Sequence, residues 1–492
     1  MSEKLPTYFQ KDFSAGMISS INESITPRNS VRLGLNVDFD VELGSAVTRP
    51  GTFIVGGQMV AGNSILGLHQ HRGGSNKLFS VINDTDDLTS VIYDETGAVL
   101  VTGLTASKKM RFLTYGGETL MLNGSDAERS WNGSSFVTTG GVFDLTDFPG
   151  SDTCNLAIEF LDKVYTAGDT SNPSRLHYST VFDGSTISWA GDFVDIESED
   201  GGGLMTAFSK VPGYILLFKE RTLHRFNGST TFPESLVNLG TPSQECVVAQ
   251  AGICAFFSAS SRDSVGFYAT QGGRPVPISH LKTKNIQKWI KAIPQSSFAN
   301  INGWGDETHF FWSVGDLTID GQNYPNVVLR WSIHTGEWCV RTYPTRFTVG
   351  TSFVDGEGNN VLIAGDDDGE VIELDKPSIF TDYVTVDGEV GYTNIPFDVR
   401  GYPERFNSNK RKSISDSLIY VTENGAGAIP YVVVDRSKIV NLESITKDIA
   451  ECRLPENLNG NYFEFGLKGV VQGVPLILKE IEAPIINLED SY

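Results

Sequence analysis

Hydrophobic and polar positions alternate most clearly from Val328 to Val340, VLRWSIHTGEWCV. Leu329, Trp331 and Ile333 fall on every second position. His334, Thr335 and Gly336 then interrupt the pattern, and Trp338 and Val340 resume it. A period of two broken by a short turn predicts a two-strand hairpin. Looser copies of this rhythm occur to either side, separated by turn dipeptides. Asn-Gly begins at 123, 132, 227, 302, 424 and 459, and Asp-Gly at 183, 200, 320, 355, 368 and 387. Both dipeptides accept the positive φ that tight hairpins require. Their even spread among short apolar runs predicts an all-β chain.

Between these turns the runs group into units of about 35 to 45 residues, the size of a four-stranded propeller blade. Seven units are read, opening near Ser64, Met110, Leu156, Gly213, Gly252, His309 and Gly350. The expected fold is a β-propeller of six or seven blades, seven favoured, because radial repetition leaves only short, protected sheet edges. Phe218, Trp312, Trp331 and Trp338 are the candidate blade-core aromatics, each large enough to fill the wedge between neighbouring sheets. One segment departs from the β rhythm. Ile286, Trp289, Ile290 and Ile293 stand at helical spacing between His280 and Pro294, which predicts a core-facing helix. After Asp375 the runs lengthen and predict a β-sandwich-like C-terminal domain. The expected division is a lead-in with a closing strand over 1–63, the propeller over 64–376 and the second β domain over 377–492.

Composition narrows the function. No window approaches the roughly 18 consecutive apolar residues of a membrane span. The opening MSEKLPTYFQKDFSAG lacks the apolar run of a secretory signal, so the expectation is a protein made in a cytoplasm. Sixty acidic against thirty-eight basic residues give a net charge of -22. That charge does not suit wrapping of nucleic acid by phosphate neutralisation. It does suit a wall past which DNA slides, because carboxylates within a Debye length, roughly 8 Å, discourage sticking. The plainer reading of the charge is solubility. Lys410, Arg411 and Lys412 form the one compact basic cluster, read as a solvated turn or as a contact for DNA or a partner.

The chain shows no G-x-S-x-G elbow, H-E-x-x-H, P-loop or dinucleotide fingerprint, so no catalytic, cofactor-binding or metal-binding residues are expected. His69 and His71 share a strand face, and without nearby acids or thiols their expected role is structural. Asp366, Asp367, Asp368 and Gly369 read as a turn in preference to a calcium loop. TVFDGSTISW, from Thr180, resembles one copy of the structural Asp-box of sialidase propellers. The sequons at Asn123, Asn132 and Asn227 coincide with hairpin turns. The five scattered cysteines lack a C-x-x-C pair, and Cys339 reads as a small buried hydrophobe.

The lead-in carries KDFSAGM from Lys11, an F-x-x-G-M element. It then carries NVDFDVELGSAVTRPGT from Asn36 to Thr52, an N-V-x-x-D...G...R-P-G element. Later come the blade around DKVYTAGDTSNPSRLHYS, the Ile/Trp segment and an R-W-S-x-x-x-G-x-W-C hairpin from Arg330. This order of parts resembles the packaged-DNA stabilisation proteins, or tail hub and nozzle proteins, of short-tailed bacteriophages. The resemblance covers most of the chain at the level of pattern. It implies a non-enzymatic structural protein of the virion tail or neck, assembled in the host cytoplasm. It further implies a homo-oligomeric, usually hexameric, ring below the portal and its adaptor ring. Such a ring extends and closes the DNA conduit, contacts passing double-stranded DNA without reading its sequence, and offers attachment to tail fibres, spikes or a needle. No cofactor is implied. The competing expectation is a carbohydrate-binding or glycan-hydrolysing propeller of a tail fibre, which would need an aromatic-lined funnel and a carboxylate pair about 5 to 9 Å apart.

Overall fold

The computed structural model describes residues 7–19, 26–73, 75–149, 154–196, 203–228, 233–281, 284–386, 389–404, 412–414, 417–454 and 458–487. Seven four-stranded antiparallel units follow one another along the chain. Five are separate sheets, over 65–105, 111–137, 156–195, 205–237 and 247–277. The sixth covers 302–341, and the seventh joins 347–376 to the lead-in strand Gly51–Ile54. In every unit the first strand is innermost. Ile65–Gly73, Arg111–Tyr115, Leu156–Phe160, Met205–Val211, Val247–Gln250, Asn302–Gly305 and Phe347–Val354 each touch the next, and the last touches the first. The chain is a seven-bladed β-propeller. Its ring is closed on the outside of blade seven, where Ile54 pairs with Ile372 and Phe53 with Glu373.

The hairpin that opens the sequence pattern lies in blade six, with Leu329 opposite Val340 and Trp331 opposite Trp338 across a turn at Gly336. Trp312, Trp331 and Trp338 all fall in one continuous core with Phe267, whose ring centroid is 4.4 Å from that of Trp312. Phe218 is fully buried between blades four and five, 4.9 Å from Phe256. All four aromatics are buried.

Three local expectations change. The helix is shorter than the Ile/Trp spacing suggests, covering Gln287–Ala292, and the residues before it form a small hairpin of His280–Leu281 with Lys284–Asn285. Ile286, Trp289, Ile290 and Ile293 are nonetheless all buried. Asn302-Gly303 and Asn459-Gly460 lie inside strands and not at turns. The blades read from Gly213, Gly252 and His309 each begin one strand earlier, at Met205, Val247 and Asn302. Inner strands crowd at the axis, where a Cβ on Gly303 would stand 2.5 Å from Val248 Cγ2. Asn302–Gly305 is short and glycine-rich, and in sequence it reads as a loop. The Asp-Gly dipeptides at 200 and 387 lie outside the described residues.

The sheet of blade six does not stop at its fourth strand. Beyond Trp338–Arg341 it continues through lead-in strand Leu33–Leu35 into Pro396–Arg400, Phe463–Val470, Ile429–Val434 and Lys438–Asn441. A second sheet, built from Ile449–Arg453, Ser417–Glu423, Ile477–Ala483 and lead-in strands Ala46–Thr48 and Val37–Asp38, packs on it. Leu418, Tyr420, Leu478 and Ile481 of this sheet meet Val432, Phe463, Phe465 and Leu467 of the other in a shared core. This is the β-sandwich-like C-terminal domain, joined edgewise to blade six through the lead-in. Truncating Trp312 to alanine removes the largest wholly buried side chain of that continuous core. It should lower unfolding stability by about 3 to 5 kcal/mol in a urea titration, and an unchanged midpoint would contradict the packing described.

Candidate functional site

The residues of the two lead-in elements converge on blade six. Leu33–Leu35 is wedged between the outer strand of that blade, parallel to it at Val340, and the strand Pro396–Arg400, antiparallel to it. Asn36 follows with φ of 54° and is fully buried. Its amide donates to Thr342 Oγ1 at 2.9 Å and the Pro396 carbonyl at 2.7 Å, and its Oδ1 accepts from Arg49 Nε at 3.0 Å and the Thr342 amide at 2.9 Å. Four bonds exhaust an amide side chain. One residue thereby fixes blade six, the C-terminal domain and the closing strand together.

Arg49 of the R-P-G element is fully buried, and all five of its N–H groups are used. Besides Asn36, they reach Asp382 Oδ1 at 2.9 Å and Oδ2 at 2.5 Å, the Thr342 carbonyl at 2.8 Å and the Pro50 carbonyl at 2.9 Å. The guanidinium carbon also lies 4.2 Å from the Tyr343 ring centroid. Burial opposes the charge, but Asp382 outweighs it and holds the guanidinium more firmly protonated than usual.

A longer chain of alternating charge runs beside it. Asp38 accepts from Arg341 Nη2 at 2.8 and 3.0 Å and lies 3.5 Å from Arg330 Nη1. Arg341 turns its other nitrogen to Asp375 at 2.7 and 2.8 Å. Asp40 takes Arg330 Nη2 at 2.8 and 3.1 Å and His309 Nε2 at 2.6 Å. His309 Nδ1 lies 3.3 Å from Asp306. Burial raises the carboxyls of Asp38 and Asp40, yet the flanking cations prevail and hold both below the ordinary range. His309 moves the other way. Burial disfavours its charge, but Asp306 and Asp40 raise it above the usual histidine value. The oxygens of Asp38 and Asp40 accept bonds from these cations, so the chain's chemistry is fastening.

Two further polar features belong to the propeller itself. On its axis is a cavity of about 390 Å3, lined by residues of all seven blades, among them His69, Arg111, Ile158, Phe208, Glu245, Asn302 and Gly350. Arg111 grips Glu245 at 2.8 and 3.1 Å, tying blade two to the strand entering blade five across the axis. His69 and His71 both face blade two. Their rings bond to Thr114 at 2.7 Å and Thr119 at 2.8 Å, and those two hydroxyls bond each other at 2.7 Å. Burial drives the His69 imidazole down to about 3, so it is neutral and structural near pH 7.

The acidic loop of blade seven is a turn. Asp366 Oδ1 accepts from the amides of Asp368 and Glu370 at 3.0 and 2.8 Å, and Asp368 accepts from the Gly62 amide at 2.7 Å. Asp183 likewise accepts from Ser185 and Thr186, and Asn132 from Ser134 and Ser135, so turn geometry occupies both side chains. All five cysteines are buried and unpaired. Among the described residues no group of three or more His, Cys, Asp or Glu is placed to hold a metal.

Of the basic cluster only Lys412 lies among the described residues, and it takes a different place from the one expected. Lys412 is fully buried in the strand Lys412–Ile414, with its ammonium 3.4 Å from the Asn461 carbonyl, so it is no surface contact of this chain. The strand is the central one of three, paired on both edges, and all three of its residues are buried. Lys410 and Arg411 lie outside the described residues. Sequence reasoning did not find the charge chain. Asp38, Asp40, Arg49 and Arg330 stand inside the motifs that carry the family resemblance, but nothing in their local spacing shows that they meet.

No protein family matches the chain, and no curated protein does. Among solved structures it is similar to BamB from Moraxella catarrhalis, 14% identical at a TM-score of 0.36 over 66% of this chain and 97% of that one. It is also similar to the Pan2 WD40 domain of Neurospora crassa, 7% identical at 0.38 over 66% and 96%. The extracellular domain of BT4673 from B. thetaiotaomicron is 9% identical at 0.41, over 90% of this chain and 63% of that one. At these values the likenesses concern fold class and carry nothing about activity.

Removing Asp382 by Asp382→Ala strands a wholly buried guanidinium. Unfolding stability should fall by about 3 to 5 kcal/mol in a denaturant titration, and a loss below about 1 kcal/mol would mean the pair behaves as a surface contact. Asp366 gives a pH signature. Burial and the nearby Glu370 push its carboxyl up to about 7, against about 3.9 in an unfolded chain. The folded state therefore binds the proton more tightly, so stability declines as pH rises between those values and is flat above them. Asp366→Asn should flatten this slope in thermal melts and make the variant relatively more stable at pH 8 than at pH 4.5; an unaltered slope would rule out Asp366 as its source.

Proposed function

We propose that this propeller is a structural component of a bacteriophage tail or neck, a hub or nozzle subunit that acts through shape and assembly and not through turnover. The observation that supports this reading is where the signature residues go. Asn36, Asp38, Asp40, Arg49 and Arg330 are all engaged inside the molecule, joining lead-in, blades six and seven and the C-terminal domain into one body. A part that must bear load from packaged DNA needs such internal fastening.

In this reading several copies, six by the family resemblance, stand in a ring below the portal and its adaptor. DNA passes between copies and not along a propeller axis, because Arg111 and Glu245 bridge that axis. A net charge of -22 keeps the conduit wall from holding the phosphates. Exposed turns and edges are left for fibre, spike or needle proteins, and the completed assembly resides in the virion.

Electron microscopy of the purified protein, alone and mixed with portal-adaptor particles, tests this. Closed rings with an open centre, or added density below the adaptor, are expected. A particle that stays monomeric at high concentration and leaves the adaptor bare would sink the proposal. Selective capture on a glycan array, or release of reducing sugar from a host polysaccharide, would instead favour a fibre propeller directed at carbohydrate.

A further inference from the structure

The segment Phe13–Ile18 crosses blade six as a strap. Phe13, Met17 and Ile18 are fully buried, and Gly16 has φ of 67° with room for no side chain, since a Cβ there would stand 2.7 Å from Glu337 Cβ. Backbone bonds hold it along its length, with Gly16–Met17 paired parallel to Ser30–Val31. Ala15 donates to the Asn29 carbonyl at 3.1 Å and Ser19 to the Asn285 carbonyl at 2.7 Å, and the Tyr402 hydroxyl donates to the Ile18 carbonyl. Between them Lys284 Nζ donates to the Ala15 carbonyl at 3.1 Å.

Glu337 lies directly beneath. It is 1% exposed, and neither carboxyl oxygen has a hydrogen-bond partner. The Thr335 hydroxyl is near but out of bonding geometry. The charged groups that face Glu337 are Asp40 from the lead-in, Arg330 from blade six and Lys284 from the hairpin before the helix. Arg330 is already committed to Asp38 and Asp40, and His309 is committed to Asp40 and Asp306.

We propose that Glu337 is a protonation latch for the N-terminal strap, closed while the carboxyl is neutral and opened when it ionises. A neutral carboxyl tolerates this dry position far better than a carboxylate, which has no donor and meets the negative Asp40. An ionised Glu337 gains a partner by drawing Lys284 away from the Ala15 carbonyl or by admitting water under Gly16. Both routes remove the side-chain hold on the middle of the strap and leave only its pairing with Ser30–Val31. Burial followed by Asp40 raises this carboxyl to about 7, which puts the transition near neutral pH.

Hydrogen exchange of the amides of residues 15–18, corrected for intrinsic rates, reads the latch. Wild-type protection should fall about tenfold between pH 6 and pH 8, one proton being tied to opening. Glu337→Gln should keep its pH 6 protection at pH 8, and Glu337→Leu serves as the second probe because it too cannot ionise. The proposal fails if wild-type protection is flat across that range, or if the variants lose protection in step with wild type.

Discussion

Buried guanidinium groups govern how this molecule is put together. Arg49, Arg330 and Arg341 are almost wholly withdrawn from water. A charge in that position persists only if carboxylates and carbonyls complete its hydrogen bonds. Those partners come from widely separated parts of the chain: Asp38 and Asp40 from the lead-in, Asp375 from the end of blade seven and Asp382 from the segment after it. Arg49 therefore reaches its full set of bonds, and Arg341 both of its carboxylates, only when several segments are in register together. Apolar contacts could bring the same segments together, but they would tolerate slippage that directional ion pairs do not.

This accounts for the otherwise odd path of the first sixty residues. Among the described residues they pair with one another in a separate sheet only over Gly16–Met17 with Ser30–Val31. They supply an outer strand to blade seven, a bridging strand between blade six and the C-terminal domain, and three strands of that domain's second sheet, Tyr8–Gln10 among them. Propeller closure and domain attachment are thus one event. The same arrangement concentrates titratable groups beneath the strap, where Glu337 and His309 are both raised by burial or by neighbouring carboxylates, while Asp40 is held ionised by Arg330 and His309.

The axial region follows a different logic. Inner strands approach closely at points such as Gly303, and the remaining space is crossed by Arg111 and Glu245. The propeller is consequently a solid wedge with a small polar cavity at its hub. At its turns carboxylates cap backbone amides, as Asp183 and Asp355 do.

Much of this was open to reading from the chain alone. Period-two alternation with Asn-Gly and Asp-Gly turns determines β-hairpins, and their spacing determines blades, because strand and turn preferences act over a few residues. Trp312, Trp331, Trp338 and Phe218 could be assigned to the core on those grounds. The innermost strands could not be read, since Asn302-Gly303 has turn chemistry locally and strand geometry only because neighbouring blades crowd it. Nor could the burial of Lys412, or the union of Arg49 with Asp382 across more than three hundred residues. Alternation says which face a side chain takes, whereas the identity of its partner depends on which distant segments close the ring, and only the folded chain decides that.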